Sequence, residues 1–134
     1  MHSAPFVRWL LPASLSLLAA CTQTPSSVSL DEDAQSHCPL TIYRGQELML
    51  SLRSNPSTGF RWEVKDAASG VLKSLGPEVY SNPEDLDLVG SAGQSTWRYK
   101  ADKPGNGHLL MVYRRPWEAD VAPAQNFVCP ITVE

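Results

Sequence analysis

The chain has 134 residues, with eleven Lys or Arg against fourteen Asp or Glu and a net charge of −3. That is one domain of ordinary size, and nothing basic is concentrated enough to expect nucleic acid as a partner. The three histidines come with no carboxylate cluster and no metal-ligand spacing, so no catalytic residue, metal or cofactor is expected.

The N-terminus reads as an export signal. Arg8 supplies positive charge, an apolar stretch interrupted by Pro12 covers residues 9–20, and Ala19-Ala20 precede Cys21, the layout of a secretory leader. The stretch is short for a membrane span of roughly 20 apolar residues. Leu18-Ala19-Ala20-Cys21 also resembles a bacterial lipobox. That resemblance implies cleavage before Cys21, lipidation of its thiol and attachment to a membrane. Thr22, standing where aspartate does not, then implies an outer-membrane lipoprotein of the cell envelope, facing the periplasm or the exterior. The plainer alternative is a secreted soluble protein. The expected organisation is a signal peptide over 1–20, a flexible tether with lipidated Cys21 over 21–37, and one domain over 38–134. The tether is rich in Ser, Thr, Gln and Asp, and its isolated Val28 and Leu30 gain too little on ordering to offset the entropy.

Within the domain, Leu40-Thr41-Ile42-Tyr43 is strand-like and Arg44-Gly45-Gln46 turns the chain. Leu48, Leu50 and Leu52 recur at the period of two that marks a half-buried strand. After an interruption at residues 55–59, Phe60, Trp62 and Val64 are expected inward, with Arg61 and Glu63 outward. Residues 71–80 form a less regular strand bent at Gly76-Pro77, and residues 83–88 hold at most one helical turn capped by Asn82. Trp97, Tyr99 and Ala101 share one face of the next strand. The apolar run 108–114 reads as a central strand, and residues 115–124 as a proline-bearing loop. The last strand carries Pro130, which demotes part of it to an edge or bulge. Many short strands with almost no helix predict an all-β, antiparallel sandwich in which alternate loops collect at one end.

Cys38 and Cys129 remain after Cys21 is assigned. In an exported chain they read as a disulfide joining strands near the two ends of the domain; the alternative is two buried free thiols.

Three segments stand out as loop tips. In Asn55-Pro56-Ser57-Thr58-Gly59-Phe60, Pro56 fixes its own φ and extends Asn55, while Gly59 accepts a positive φ. The result is a stiff tip offering two hydroxyls, although the same residues also make ordinary turns. Gly90-Ser91-Ala92-Gly93 has so little bulk that another surface could approach closely, or it only turns the chain. In Arg115-Pro116-Trp117 the tryptophan is either a lid on the core or a protruding anchor, and Trp and Arg are the types most enriched at binding hot spots.

In this order and spacing the three segments look like those of the chagasin-like inhibitors of papain-family cysteine peptidases. Asn55, Pro56, Thr58, Gly59 and Phe60 meet the family's Asn-Pro-x-Thr-Gly-aromatic motif, and Arg115, Pro116 and Trp117 its Arg-Pro-Trp motif. Gly90 and Gly93 match the ends of its Gly-x-Gly-Gly motif, whose middle glycine is replaced by Ala92. The resemblance implies an immunoglobulin-like β-sandwich that inhibits reversibly by placing three loops over a peptidase cleft; nothing in the sequence demands more than a monomer. It also implies Thr58 nearest the catalytic pair, Trp117 to one side and residues 90–93 to the other. The competing expectation is an envelope-anchored binding module of the same fold with a non-peptidase partner.

Overall fold

The computed structural model describes residue 12, residues 25–82 and residues 93–134. The leader with Cys21, the expected helical turn at 83–88, and Gly90, Ser91 and Ala92 lie outside the described residues. Nine strands are found among those described: β1 Ser27–Leu30, β2 Leu40–Ile42, β3 Glu47–Ser54, β4 Arg61–Ala67, β5 Leu72–Ser74, β6 Val79–Ser81, β7 Gly93–Ala101, β8 Gly105–Arg114 and β9 Gln125–Val133. They form two sheets. One runs β1-β3-β7-β5, with β6 also paired to β7, and the other runs β2-β9-β8-β4.

The alternation read from the sequence determines which faces meet. Leu48, Leu50 and Leu52 on β3 and Trp97, Tyr99 and Ala101 on β7 are all buried. They face Trp62, Leu109, Met111, Tyr113, Phe127, Cys129, Ile131 and Val133 from the second sheet. Each fully buried large apolar side chain contributes about 1.5–3 kcal/mol relative to exposure. The apolar run in β8 is central, between β9 and β4. Gly76 and Pro77 separate β5 from β6, which pair with different stretches of β7.

Cys38 and Cys129 form a disulfide with Cα atoms 5.2 Å apart. It ties the approach to β2 onto β9, its sheet neighbour. Pro130 sits one residue beyond the last β2 pairing, at Leu40 and Ile131, where β9 has a strand on one side only. The missing N–H therefore removes no ladder bond to β2.

Three expectations are corrected. The sheets are not purely antiparallel, since β1 with β3 and β2 with β9 run parallel. Val64 does not enter the core: it pairs with buried Met111 yet is 41% exposed, because β4 is an edge strand whose register shifts before Asp66. The tether, expected to be unstructured up to residue 37, is folded from Pro25 onward. Leu30 is buried and Val28 packs against the core.

That last difference has a physical cause. The edge of β3 offers main-chain partners that two apolar residues could not supply alone. Glu47 N–H donates to Ser26 O at 2.9 Å, and buried Gln46 donates from Nε2 to Pro25 O at 2.7 Å while its Oε1 accepts from Tyr43 N. A 3-10 helix, Asp33–His37, follows β1, and Glu32 Oε1 accepts from Arg53 N.

Candidate functional site

Strand register decides which loops are neighbours. Ser54 at the end of β3 pairs with Gly93 at the start of β7, so the first loop (residues 55–60) leaves the sheet beside Gly93. Arg61 at the start of β4 pairs with Arg114 at the end of β8, so the first loop returns where the third (residues 115–124) departs. The first loop therefore crosses between the two sheets at one pole, with Gly93 and the third loop at its flanks.

Its own chemistry stiffens it. Pro56–Thr58 makes a 3-10 turn, and Gly59 closes it at φ +84° with its N–H donating to Pro56 O at 3.0 Å. A side chain disfavours that φ; glycine does not. Both hydroxyls are turned to internal use. Ser57 Oγ donates to Asn55 Oδ1 at 2.5 Å and Thr58 Oγ1 to Asn55 O at 2.7 Å. Ser57 and Thr58 are nonetheless exposed.

The third loop is built from successive turns. Glu118 N–H donates to Arg115 O, Val121 N–H to Glu118 O and Ala124 N–H to Tyr113 O, at 2.9–3.0 Å. Arg114 Nη2 donates to Val121 O at 3.2 Å. The two hot-spot types of this segment part company. Arg115, half-exposed, bonds within its own chain: Nε donates to Thr58 O at 3.1 Å, Nη1 meets Glu118 Oε1 at 3.2 Å, and the guanidinium lies 4.5 Å from the Phe60 ring centre. Trp117 is 70% exposed. It does not roof the core; its ring edge lies against Gly59.

An aromatic group sits beneath both loops. Phe60 stacks on Tyr113 at 5.2 Å, and Trp62 lies against the same ring at 4.9 Å. Trp62 Nε1 donates to Arg53 O at 2.9 Å. Of the second loop only Gly93 is described, and it is buried. A Cβ there would fall 2.4 Å from Ser81 O and 2.6 Å from Tyr80 Oη, so glycine is what allows β6 to approach.

The structure thus brings Asn55 to Phe60, Gly93 and Arg115 to Trp117 to one pole. Tyr113 and Glu118 belong to the same network and carry no loop signal in the sequence; a tyrosine ending an apolar strand reads only as core. Among the described residues no group of three His, Cys, Asp or Glu could hold a metal. His108, the one histidine on a strand among the described residues, is exposed opposite Pro130.

Comparison with known proteins bears on this pole. Residues 41–131 match the family described as Chagasin family peptidase inhibitor I42. Amoebiasin-1 of Entamoeba histolytica is 29% identical over 107 residues, covering 80% of this chain and 100% of that protein. Chagasin of Trypanosoma cruzi is 25% identical over 99 residues, covering 70% and 87%. The crystal structure of the cysteine protease inhibitor EhICP2 from Entamoeba histolytica is similar at a TM-score of 0.69 and 22% identity, over 81% of this chain and 96% of that one. PbICP-C in complex with falcipain-2 is similar at 0.52 and 18% identity, over 81% and 89%. At those identities the two structures speak for the fold.

Proposed function

This chain belongs to the chagasin family of peptidase inhibitors, and from that premise we propose that it inhibits papain-like cysteine peptidases reversibly and without covalent chemistry, its three loops filling the cleft. It is an inhibitor and not an enzyme. The observation that carries this reading is the rigid coupling of two exposed features, Thr58 and Trp117, at one pole. A cysteine protease inhibitor and a protein in complex with falcipain-2 share the fold, which supports the target class.

A papain-like cleft holds a thiolate that attacks a carbonyl carbon whose oxygen enters an oxyanion hole. Thr58 is the residue nearest that thiolate in this reading. Its carbonyl oxygen already accepts from Arg115 Nε within the inhibitor, and the adjoining Gly59 is left-handed. The peptide therefore fills the cleft without offering its carbonyl in attacking geometry. The loop is ordered beforehand, so little conformational entropy is lost on docking. Trp117 then buries its ring beside the cleft, and the segment at 90–93 lies along the other side.

Titrating the full chain in mild detergent into papain, with a peptide substrate reporting residual hydrolysis, tests this. Loss of activity at stoichiometric amounts, restored on dilution, is the expected result. Unchanged hydrolysis at micromolar protein ends the reading for this enzyme class and favours a binding module with another partner.

The same reading includes a lipid anchor at Cys21 and a monomer standing on the outer membrane. Support comes from strand direction. β1 runs parallel to β3, with Ser27 opposite Glu47 and Leu30 opposite Leu50, so Pro25 lies at the pole away from Ser54 and the loops. Three residues lie between Cys21 and Pro25, a chain reach of at most about 14 Å over the four steps. An anchor on so short a leash leaves the inhibitory pole directed away from the lipid. Vesicle-bound protein should inhibit papain in bulk solution with undiminished affinity, and Cys21→Ser should leave the membrane fraction. Retention of that variant on membranes would remove the anchor from the reading.

A further inference from the structure

Tyr113 lies outside all three loop segments, yet it touches both the first loop and the third. Its hydroxyl accepts from Asn55 N at 3.0 Å, at the point where the first loop leaves β3. Its ring is flanked by Phe60 at 5.2 Å and Trp62 at 4.9 Å, where that loop returns to β4. Its carbonyl accepts from Ala124 N at 2.9 Å, which closes the base of the third loop. It also immediately precedes Arg114 and Arg115, and Arg115 Nε reaches back to Thr58 O.

Resting on the proposed function, we infer that Tyr113 is the positioning residue of the inhibitory surface: its hydroxyl sets the take-off of the first loop and its ring and carbonyl fix that loop relative to the third. The physical logic is one of shared reference. Two loops distant in sequence keep a constant separation only if both are attached to the same rigid body. Tyr113 is 8% exposed, sits in a central strand and is bonded to both. The contribution of the hydroxyl is separable from that of the ring. Phenylalanine keeps the stacking and the backbone bond, and leaves the Asn55 N–H without its hydroxyl acceptor.

The test uses the full chain in detergent, as wild type, Tyr113→Phe and Ser51→Ala. The last variant removes the Ser51–Thr96 side-chain hydrogen bond on the outer face of the first sheet, remote from the aromatic group, and serves as a control for general loss of stability. Three quantities are read: papain inhibition with its dissociation rate, amide exchange at Asn55, and the melting temperature. Tyr113→Phe should weaken inhibition roughly five- to tenfold, chiefly through faster dissociation, and should speed exchange at Asn55 selectively. Ser51→Ala should melt lower with inhibition and Asn55 exchange unchanged. Wild-type inhibition by Tyr113→Phe, unaltered Asn55 exchange, or equal weakening by Ser51→Ala would each overturn the assignment. If the wild type itself fails to inhibit, the proposed function is what falls, and Asn55 exchange still decides whether Tyr113 sets the loop.

Discussion

The indole of Trp117 rests against the α-carbon of Gly59: a Cβ built there would lie 2.3 Å from Cη2 and 3.2 Å from Cζ2 of the ring. Gly59 is therefore required twice, once for its positive φ and once for the space the tryptophan occupies. Gly59→Ala should destabilise the fold by about 1–2 kcal/mol, the usual cost of a side chain in the left-handed region. It should also weaken papain inhibition at least roughly tenfold, because the ring must move. Denaturation and inhibition assays on one preparation separate the two effects.

Trp117→Ala gives the opposite balance. The ring is 70% exposed, so stability should change by no more than about 0.5 kcal/mol. Affinity for papain should fall by about 2 kcal/mol or more, as for a buried interface anchor. Equal losses in both measurements would mean that the ring supports the fold and not the contact.

Arg115 makes its named contacts inside the inhibitor. Its ion pair with Glu118 is partly exposed and of the kind worth roughly 0–1 kcal/mol, so Arg115→Ala should fold. Besides the contact with the Phe60 ring, it loses the bond to Thr58 O. The variant should inhibit more weakly and, on prolonged incubation with papain, be cut after Thr58. Mass spectrometry of the incubated mixture checks this; an intact chain would show that the turn alone resists cleavage.

The disulfide closes a sequence separation of 91 residues. Restricting the unfolded chain in that way stabilises by about 4.5 kcal/mol in the chain-entropy account. Denaturant titrations of the reduced and oxidised protein should differ by an amount of that order, and the loops should still form in whatever fraction remains folded.

Tyr99 is 2% exposed, and burial pushes its hydroxyl from 10.0 up to about 12. Between those values the unfolded chain has released the proton and the folded chain has kept it. Stability contributed by this group is thus complete below the unfolded value and declines as pH rises toward about 12. Urea midpoints should fall across that alkaline window, less steeply in Tyr99→Phe.

Much of the fold was legible because strand alternation is a local property. Leu48, Leu50, Leu52, Trp97, Tyr99 and Ala101 declare their buried face by spacing alone, and all six are buried. Val64 follows the same spacing and is exposed, since its position on an edge strand depends on neighbours distant in the chain. Val28 and Leu30 mislead in the other direction. Two apolar residues in a polar stretch predict no structure, and only the free edge of β3 makes them a strand.

By itself, then, the order of residues determined the turn at Pro56 and Gly59, the alternating faces, the cysteine pair and the family to which the loops correspond. Tertiary structure alone decided that Arg115 bonds within its own chain while Trp117, two residues on, faces out, and that Tyr113 joins two loops. The reason is physical: a turn or a strand face follows from a few adjacent side chains, whereas a hydrogen bond such as Asn55 N–H to Tyr113 Oη spans 58 residues and exists only once the sheets have packed.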